Sequence, residues 1–343
     1  MKVIVHIGTP KTATTSIQNF FAKNKQFISK QKFYYPTAFR VANRHWVLVD
    51  FVKHCLDKSM NECISSYNFN FHIKKLQQEM QENSDSTFVF SSEGFVWEFN
   101  SKNQIETLNK VLKRLGFSEI VIIVYIRDIL DYLISNCSQD VKNNLGFYSD
   151  ELNPEVHPKK HIFDYRWICE TYSSVFGDSN FIVRLFDQEE FYQKSFIKDF
   201  LHQIGLKYDE KFYIPDKSNE SLNLYGVLIQ KNLNKILSKE DINNSLLQLT
   251  SKYFTCKHEK DLKYIPEQQV LEKYYEFYEN SNEWVRKKYF PHRIKLFSKS
   301  PLNFYNGDKK NQLKIKDIEQ IVAYIADIIS NKNKTIKHLR KSN

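Results

Sequence analysis

Between residues 10 and 16 the chain sets a proline, a lysine and four hydroxyls together: Pro10-Lys11-Thr12-Ala13-Thr14-Thr15-Ser16. A mobile ammonium beside a row of hydroxyl donors is equipment for holding a multiply charged anion. A β-branched run at 3–7 ends at Gly8 just before them, and Ile17, Phe20 and Phe21 open a helical apolar stripe just after. Strand, tight loop and helix N-terminus form the arrangement in which backbone N–H groups converge on an anion. A capped surface helix after an ordinary strand accounts for the hydroxyls but not for Pro-Lys beside them. The stretch reads as a phosphate-binding loop.

A nucleoside-triphosphate loop places its lysine directly after the second glycine and a Mg²⁺-binding hydroxyl after that. Here Ala13 stands five residues after Gly8, Thr14 follows, and the lysine comes early, at Lys11. The stretch instead resembles the 5′-phosphosulfate loop of sulfotransferases that use 3′-phosphoadenosine 5′-phosphosulfate (PAPS), which runs P-K-[ST]-G-T-T. The match covers residues 10–15 with alanine in place of glycine. That departure is mild if φ there is negative and costly if it must be positive.

The resemblance continues at Arg127 and Ser135. Sulfotransferases of this family read the donor's 3′-phosphate with an arginine at a strand end and a serine eight residues on. Arg127 follows an apolar run at 119–126 and Ser135 has that spacing. A guanidinium offers a bidentate fork to a phosphate, and a hydroxyl two helical turns along can face the same side. Glu93 closes the strand-like run 87–91, on the edge where parallel sheets bind ligands, and is similar in position to the catalytic glutamate of several glycan sulfotransferases. His45 is the rival base. Further likenesses to bacterial members lie at 183–187, 199–201, 219–222 and 286–297. The family implies PAPS as donor, adenosine 3′,5′-bisphosphate (PAP) as product, and no metal. Lys11 neutralises the leaving bridging oxygen, Glu93 takes the acceptor proton, and the acceptor is a glycan or lipid-linked sugar.

The elements that must carry these residues are strands at 3–7, 33–35, 87–91, 119–126 and 180–186, with helices between them. The resemblance implies an α/β fold, a P-loop-like three-layer sandwich whose mostly parallel sheet, of about five strands here, has helices on both faces. One domain is expected, with a nucleotide-binding core at 1–205 and a helical extension at 206–343. In the last helix Ile318, Ile321, Val322, Ile325, Ile328 and Ile329 form an apolar face expected to dock on the core. His157 and His161 flank Pro158, which disfavours a shared helical metal face, and His45, His54 and His72 form no metal pattern with Cys55 and Cys63.

The net charge is +10, and five of the cations (Lys332, Lys334, Lys337, Arg340, Lys341) crowd into the last thirteen residues without an acid. The rest suits an anionic nucleotide rather than nucleic acid. The basic tail reads either as a solvated terminus or as a contact with an anionic membrane. Five scattered cysteines without a C-x-x-C pair read as reduced thiols. With no secretory segment before the first strand, a cytoplasmic protein is expected, with peripheral contact at the inner membrane face through the tail. A nucleotide kinase with an atypical loop and a non-catalytic nucleotide- or glycan-binding protein are the other readings.

Overall fold

A computed structural model describes residues 1–144, 148–215, 221–237, 244–256, 262–304 and 314–342. Five strands, β1 (Lys2–His6), β2 (Phe33–Tyr34), β3 (Thr87–Ser91), β4 (Glu119–Ile126) and β5 (Phe181–Leu185), pair in parallel in the order β2-β3-β1-β4-β5. Continuous β-branched and aromatic runs such as Ile-Val-Ile-Ile-Val-Tyr-Ile in β4 are what a strand covered on both faces requires. Alternation then sorts the faces. Ile4, Val89, Ile123 and Tyr125 point to one side, into a core with Ile17, Phe20 and Phe21 of α1 (Thr14–Lys23). Short helix α2 (Lys25–Ser29) follows α1 and packs near β2.

The chain from 43 to 82 is helical as expected, forming α3 (Trp46–His54), α4 (Met60–Ile64) and α5 (Tyr67–Glu82). Cys55 and Cys63 pair here as a disulfide, because the turn after α3 brings their Cα atoms to 5.3 Å. This corrects the expectation of five reduced thiols. Beyond β3 lie α6 (Gly94–Trp97), α7 (Lys102–Arg114), α8 (Ile129–Asn143), α9 (Tyr165–Phe176) and α10 (Phe196–Ile204). On the sheet face opposite α1, α9 packs on β4 and β5, with Tyr172 stacked on Phe181.

Residues 183–187 and 199–201, singled out in the sequence, make one knot. Cross-strand neighbours Tyr125 and Arg184 both reach the buried Asp199 of α10, Tyr125 Oη donating at 2.6 Å and Arg184 through Nε and Nη2 at 3.1 and 2.7 Å. A carboxylate buried with this many donors is satisfied, so the knot clamps α10 onto two strands.

The C-terminal half holds α11 (Leu224–Ile236), α12 (Asn244–Phe254), α13 (Gln268–Phe277), α14 (Glu279–Tyr289) and α15 (Ile315–Ser342). Asn223 caps α11, its side chain accepting from the Gly226 N–H at 2.9 Å. Residues 219–220, noted in the sequence, lie outside the described residues.

One compact unit comprises Met1–Ile129, Pro158–Ser218 and Phe277–Ser298; the other comprises Leu130–His157, Asn219–Glu276 and Lys299–Asn343. The segment carrying α14 returns to the sheet-bearing unit because Ser281 accepts from the Arg166 N–H and donates to Asp164, while Tyr278 stacks on Phe163. In the second unit α11, α12 and α15 surround Tyr324, Phe254 and Leu222. Residues 148–157 bind there to α8, with Asp140 accepting from the Ser149 N–H and hydroxyl. Among the described residues no helix is long and apolar enough to cross a membrane.

Candidate active site

In the order β2-β3-β1-β4-β5 the connections diverge on either side of β1, so the C-terminal ends of β3, β1 and β4 stand where open α/β sheets bind ligands. Lys11 follows β1, Glu93 follows β3 and Arg127 follows β4, so three residues chosen from the sequence stand on adjacent strand ends. The loop after β1 is pinned at several points. Thr9 Oγ1 donates to the Tyr125 carbonyl at 2.7 Å, Thr12 Oγ1 donates to the Thr9 carbonyl at 2.6 Å, and Arg127 Nη1 donates to the Lys11 carbonyl at 2.9 Å. The Arg127 guanidinium also lies over the Phe186 ring, 5.8 Å from its centre.

These contacts hold an uncommon backbone. Gly8, Lys11 and Ala13 have φ of 40°, 66° and 54°. At Gly8 a Cβ would lie 2.9 Å from Thr14 Oγ1 and 3.4 Å from His6 Nε2, so neither conformation nor space admits a side chain. Ala13 is the N-cap residue of α1, which has no side-chain cap and no acid in its first turn. Of the first-turn amides, the Ser16 N–H donates back to the Ala13 carbonyl at 2.9 Å, while by helix geometry the first amide, at Thr14, has no carbonyl one turn earlier to reach. Thr14 Oγ1 is buried there without a hydrogen-bond partner. An uncapped helix start facing an unsatisfied hydroxyl is suited to an anion.

Ala13 therefore takes the left-handed conformation for which the resembled pattern uses glycine. That costs an alanine roughly 1 kcal/mol or more. Ala13→Gly is expected to raise the melting temperature by about 2 °C, the strain relieved outweighing the entropy glycine adds to the unfolded chain. A thermal melt showing a loss would mean the loop does not hold this conformation.

Glu93 is brought to α1. Its Oε2 accepts from Gln18 Nε2 at 3.1 Å and its Oε1 from Arg44 Nη1 at 3.2 Å, with the Arg44 guanidinium over Trp46. Gln18 lies one turn beyond Thr14 on the same helix face, which sets the carboxylate one turn from the loop. His45 is not available as a base, a correction to its candidacy. It is fully buried, its Nε2 donates to the Pro36 carbonyl at 3.0 Å, and its Nδ1 accepts from the Ser91 N–H at 3.1 Å. Burial pushes its pKa down to about 3. Its place is structural: it fixes the end of β3 just before Glu93.

Three residues near the site escaped the sequence reading. Gln18 and Arg44 orient Glu93 and look like ordinary helix and loop polars in one dimension. His6, in the middle of an apolar run, was the visible signal that passed unused. It is fully buried beneath the loop, Nδ1 2.9 Å from Ser91 Oγ, Nε2 without a partner and facing Gly8, its pKa pushed down to about 3 by burial. Pro10, Thr15 and Ser16 lie in the loop and first turn as expected, the Ser16 N–H donating to the Ala13 carbonyl at 2.9 Å. Ser135 is half-buried on α8 and belongs to the second unit. His161 contacts the Val96 carbonyl and His157 contacts Ser149, each within its own unit. Among the described residues no group of three His, Cys, Asp or Glu side chains could hold a metal ion.

No family model matches the chain. An uncharacterized protein of Archaeoglobus fulgidus is 25% identical over 231 residues, 63% of this chain, and the match spans 59% of that protein's length. Among solved structures, the crystal structure of a sulfotransferase from Alicyclobacillus acidocaldarius is similar with a TM-score of 0.39 and 13% identity, over 72% of this chain and 99% of that one.

Proposed function

We propose that the protein is a sulfotransferase that moves the sulfuryl group of PAPS to a hydroxyl of a glycan or glycolipid. The observation that carries this reading is the bond from Arg127 to the Lys11 carbonyl, which joins two basic motifs around one uncapped helix start. The residues present fit such a donor. Thr14 Oγ1 lacks a partner beside Gly8, and the first-turn amides of α1 face the loop end. A triphosphate enzyme would need lysine where Thr14 opens the helix, so a kinase is disfavoured.

In the reaction the acceptor oxygen bonds to sulfur as the bond from sulfur to the bridging 5′-phosphate oxygen breaks, and PAP leaves. Thr12, Thr14, Thr15 and Ser16 with the loop amides hold the 5′-phosphosulfate. Lys11 balances the charge growing on the bridging oxygen, an interaction stronger in the transition state than before it. Arg127 reads the 3′-phosphate. Glu93 accepts the proton of the acceptor hydroxyl, held in place by Gln18 and Arg44.

Calorimetry with PAP against AMP and ATP tests the donor. PAP is expected to bind most tightly, and Arg127→Ala to weaken it about ten- to a hundredfold more than AMP, the value of one charge-assisted contact. Equal losses for PAP and AMP would make Arg127 structural, and preference for ATP with Mg²⁺ would favour the kinase. PAP binding without transfer to any acceptor would favour a binding protein. Glu93→Gln keeps shape and hydrogen bonding while removing basicity, so kcat is expected to fall about 10²–10⁴-fold with PAP affinity unchanged. A fully active Glu93→Gln chain would remove Glu93 from the reaction.

A further inference from the structure

The apolar arc of α15 is wider than the surface it covers. Tyr324 is 2% exposed, and Ile321 and Ile328 pack with it against Phe254, Leu222 and Val227. Asp317 accepts from Tyr225 Oη at 3.0 Å, and Asp327 from Lys252 Nζ and Tyr253 Oη at 2.8 and 2.7 Å, so this face is fixed to its own unit. Ile318, Val322, Ile325 and Ile329, expected on the same docked face, are 48–59% exposed. With Ile315 and Ile336, also exposed, they form a second stripe at three- and four-residue spacing along the helix. The expectation of one docking face is thus corrected: half of the arc docks and half is bare.

The charges beside the bare stripe say what covers it. Asp317 and Asp327 are turned to the body of the unit. By helix geometry Lys332 lies at the edge of the stripe, Lys316 and Lys334 lie on the side of Asp327, and Glu319 is the one exposed acid among the described charges of the helix. The sequence then adds Lys337, Arg340 and Lys341. An aliphatic stripe that runs into a basic helix end is suited to the boundary between anionic headgroups and acyl chains, where lysine stems reach back to phosphate.

We propose that α15 is an interfacial helix that binds the chain to an anionic phospholipid membrane. This reading is independent of the one given to the loop. The full chain is mixed with phosphatidylcholine vesicles, with and without about 30% phosphatidylserine, and bound protein is separated by flotation. Binding is expected to the anionic vesicles, and to fall at least about tenfold with neutral vesicles, in high salt, or in Lys332→Gln/Lys334→Gln. Val322→Glu/Ile325→Glu, at exposed positions that leave the docked face intact, is expected to abolish it with the melting temperature unchanged. Absence of binding to anionic vesicles overturns the proposal, as does binding that the Val322→Glu/Ile325→Glu chain retains. A dimer in sedimentation that this double substitution dissolves would assign the stripe to a second copy instead and overturn it equally.

Discussion

A Lys11→Ala chain is expected to bind PAP within a few-fold of wild type and to transfer sulfuryl groups about 10²–10³ times more slowly. The asymmetry follows from where the side chain sits and what holds the loop. Lys11 anchors its neighbours through its carbonyl, which accepts from Arg127 and survives truncation. Thr9 and Thr12 make their bonds without the ammonium. The left-handed backbone at φ 66° is no harder for alanine than for lysine. What disappears is a cation that matters most when charge moves onto the bridging oxygen. Single-turnover rates with PAPS, calorimetry with PAP and a thermal melt separate the cases. Full turnover would remove Lys11 from the chemistry, and a chain that melts early would make it a structural residue.

Acid is expected to weaken the fold well before most carboxylates are neutralised. His6 and His45 are both fully buried, and burial lowers each pKa from 6.5 to about 3. The folded chain keeps both rings neutral above pH 3, whereas the unfolded chain protonates them below pH 6.5. Their stability contribution is therefore complete above pH 6.5 and is lost as pH falls from 6.5 toward 3. Between pH 7 and pH 5 the loss is roughly 2 kcal/mol per histidine, a large part of a typical folding free energy. Denaturant melts at the two pH values measure it, and imidazole NMR resonances identify the source. Signals of His6 and His45 that titrate near pH 6.5 in the folded chain would refute the account.

Much of the sheet was legible because a strand covered on both faces needs an unbroken apolar run, and 3–7, 87–91, 119–126 and 180–186 are such runs. The loop was legible for a different reason: Lys11 and its hydroxyl neighbours are contiguous, so their chemistry needs no folding to be seen. What stayed hidden depends on partners far along the chain. His45 looked like a base until the Pro36 carbonyl and the Ser91 amide occupied both of its nitrogens. Gln18 and Arg44 acquire meaning from Glu93, 75 and 49 residues away. The pattern of α15 shows an apolar arc but not how much of it finds cover, which depends on the width of the groove between α11 and α12. The interleaved units were hidden likewise, since the return of 277–298 rests on contacts to residues more than a hundred positions earlier.

The position of β1 inside the sheet has a consequence for biosynthesis. This strand is made before its partners β3 and β4, and it pairs with residues as far along as Ile123. The anchors of the loop come equally late, because Thr9 bonds to Tyr125 and Lys11 to Arg127. More than a hundred residues must be made before the loop can take its shape, and pairing at such separation is intrinsically slow. Until then an aliphatic strand and a bare helix start wait without partners, the kind of surface that draws nascent chains into association. The loop is thus assembled only once anchors made long after it are in place.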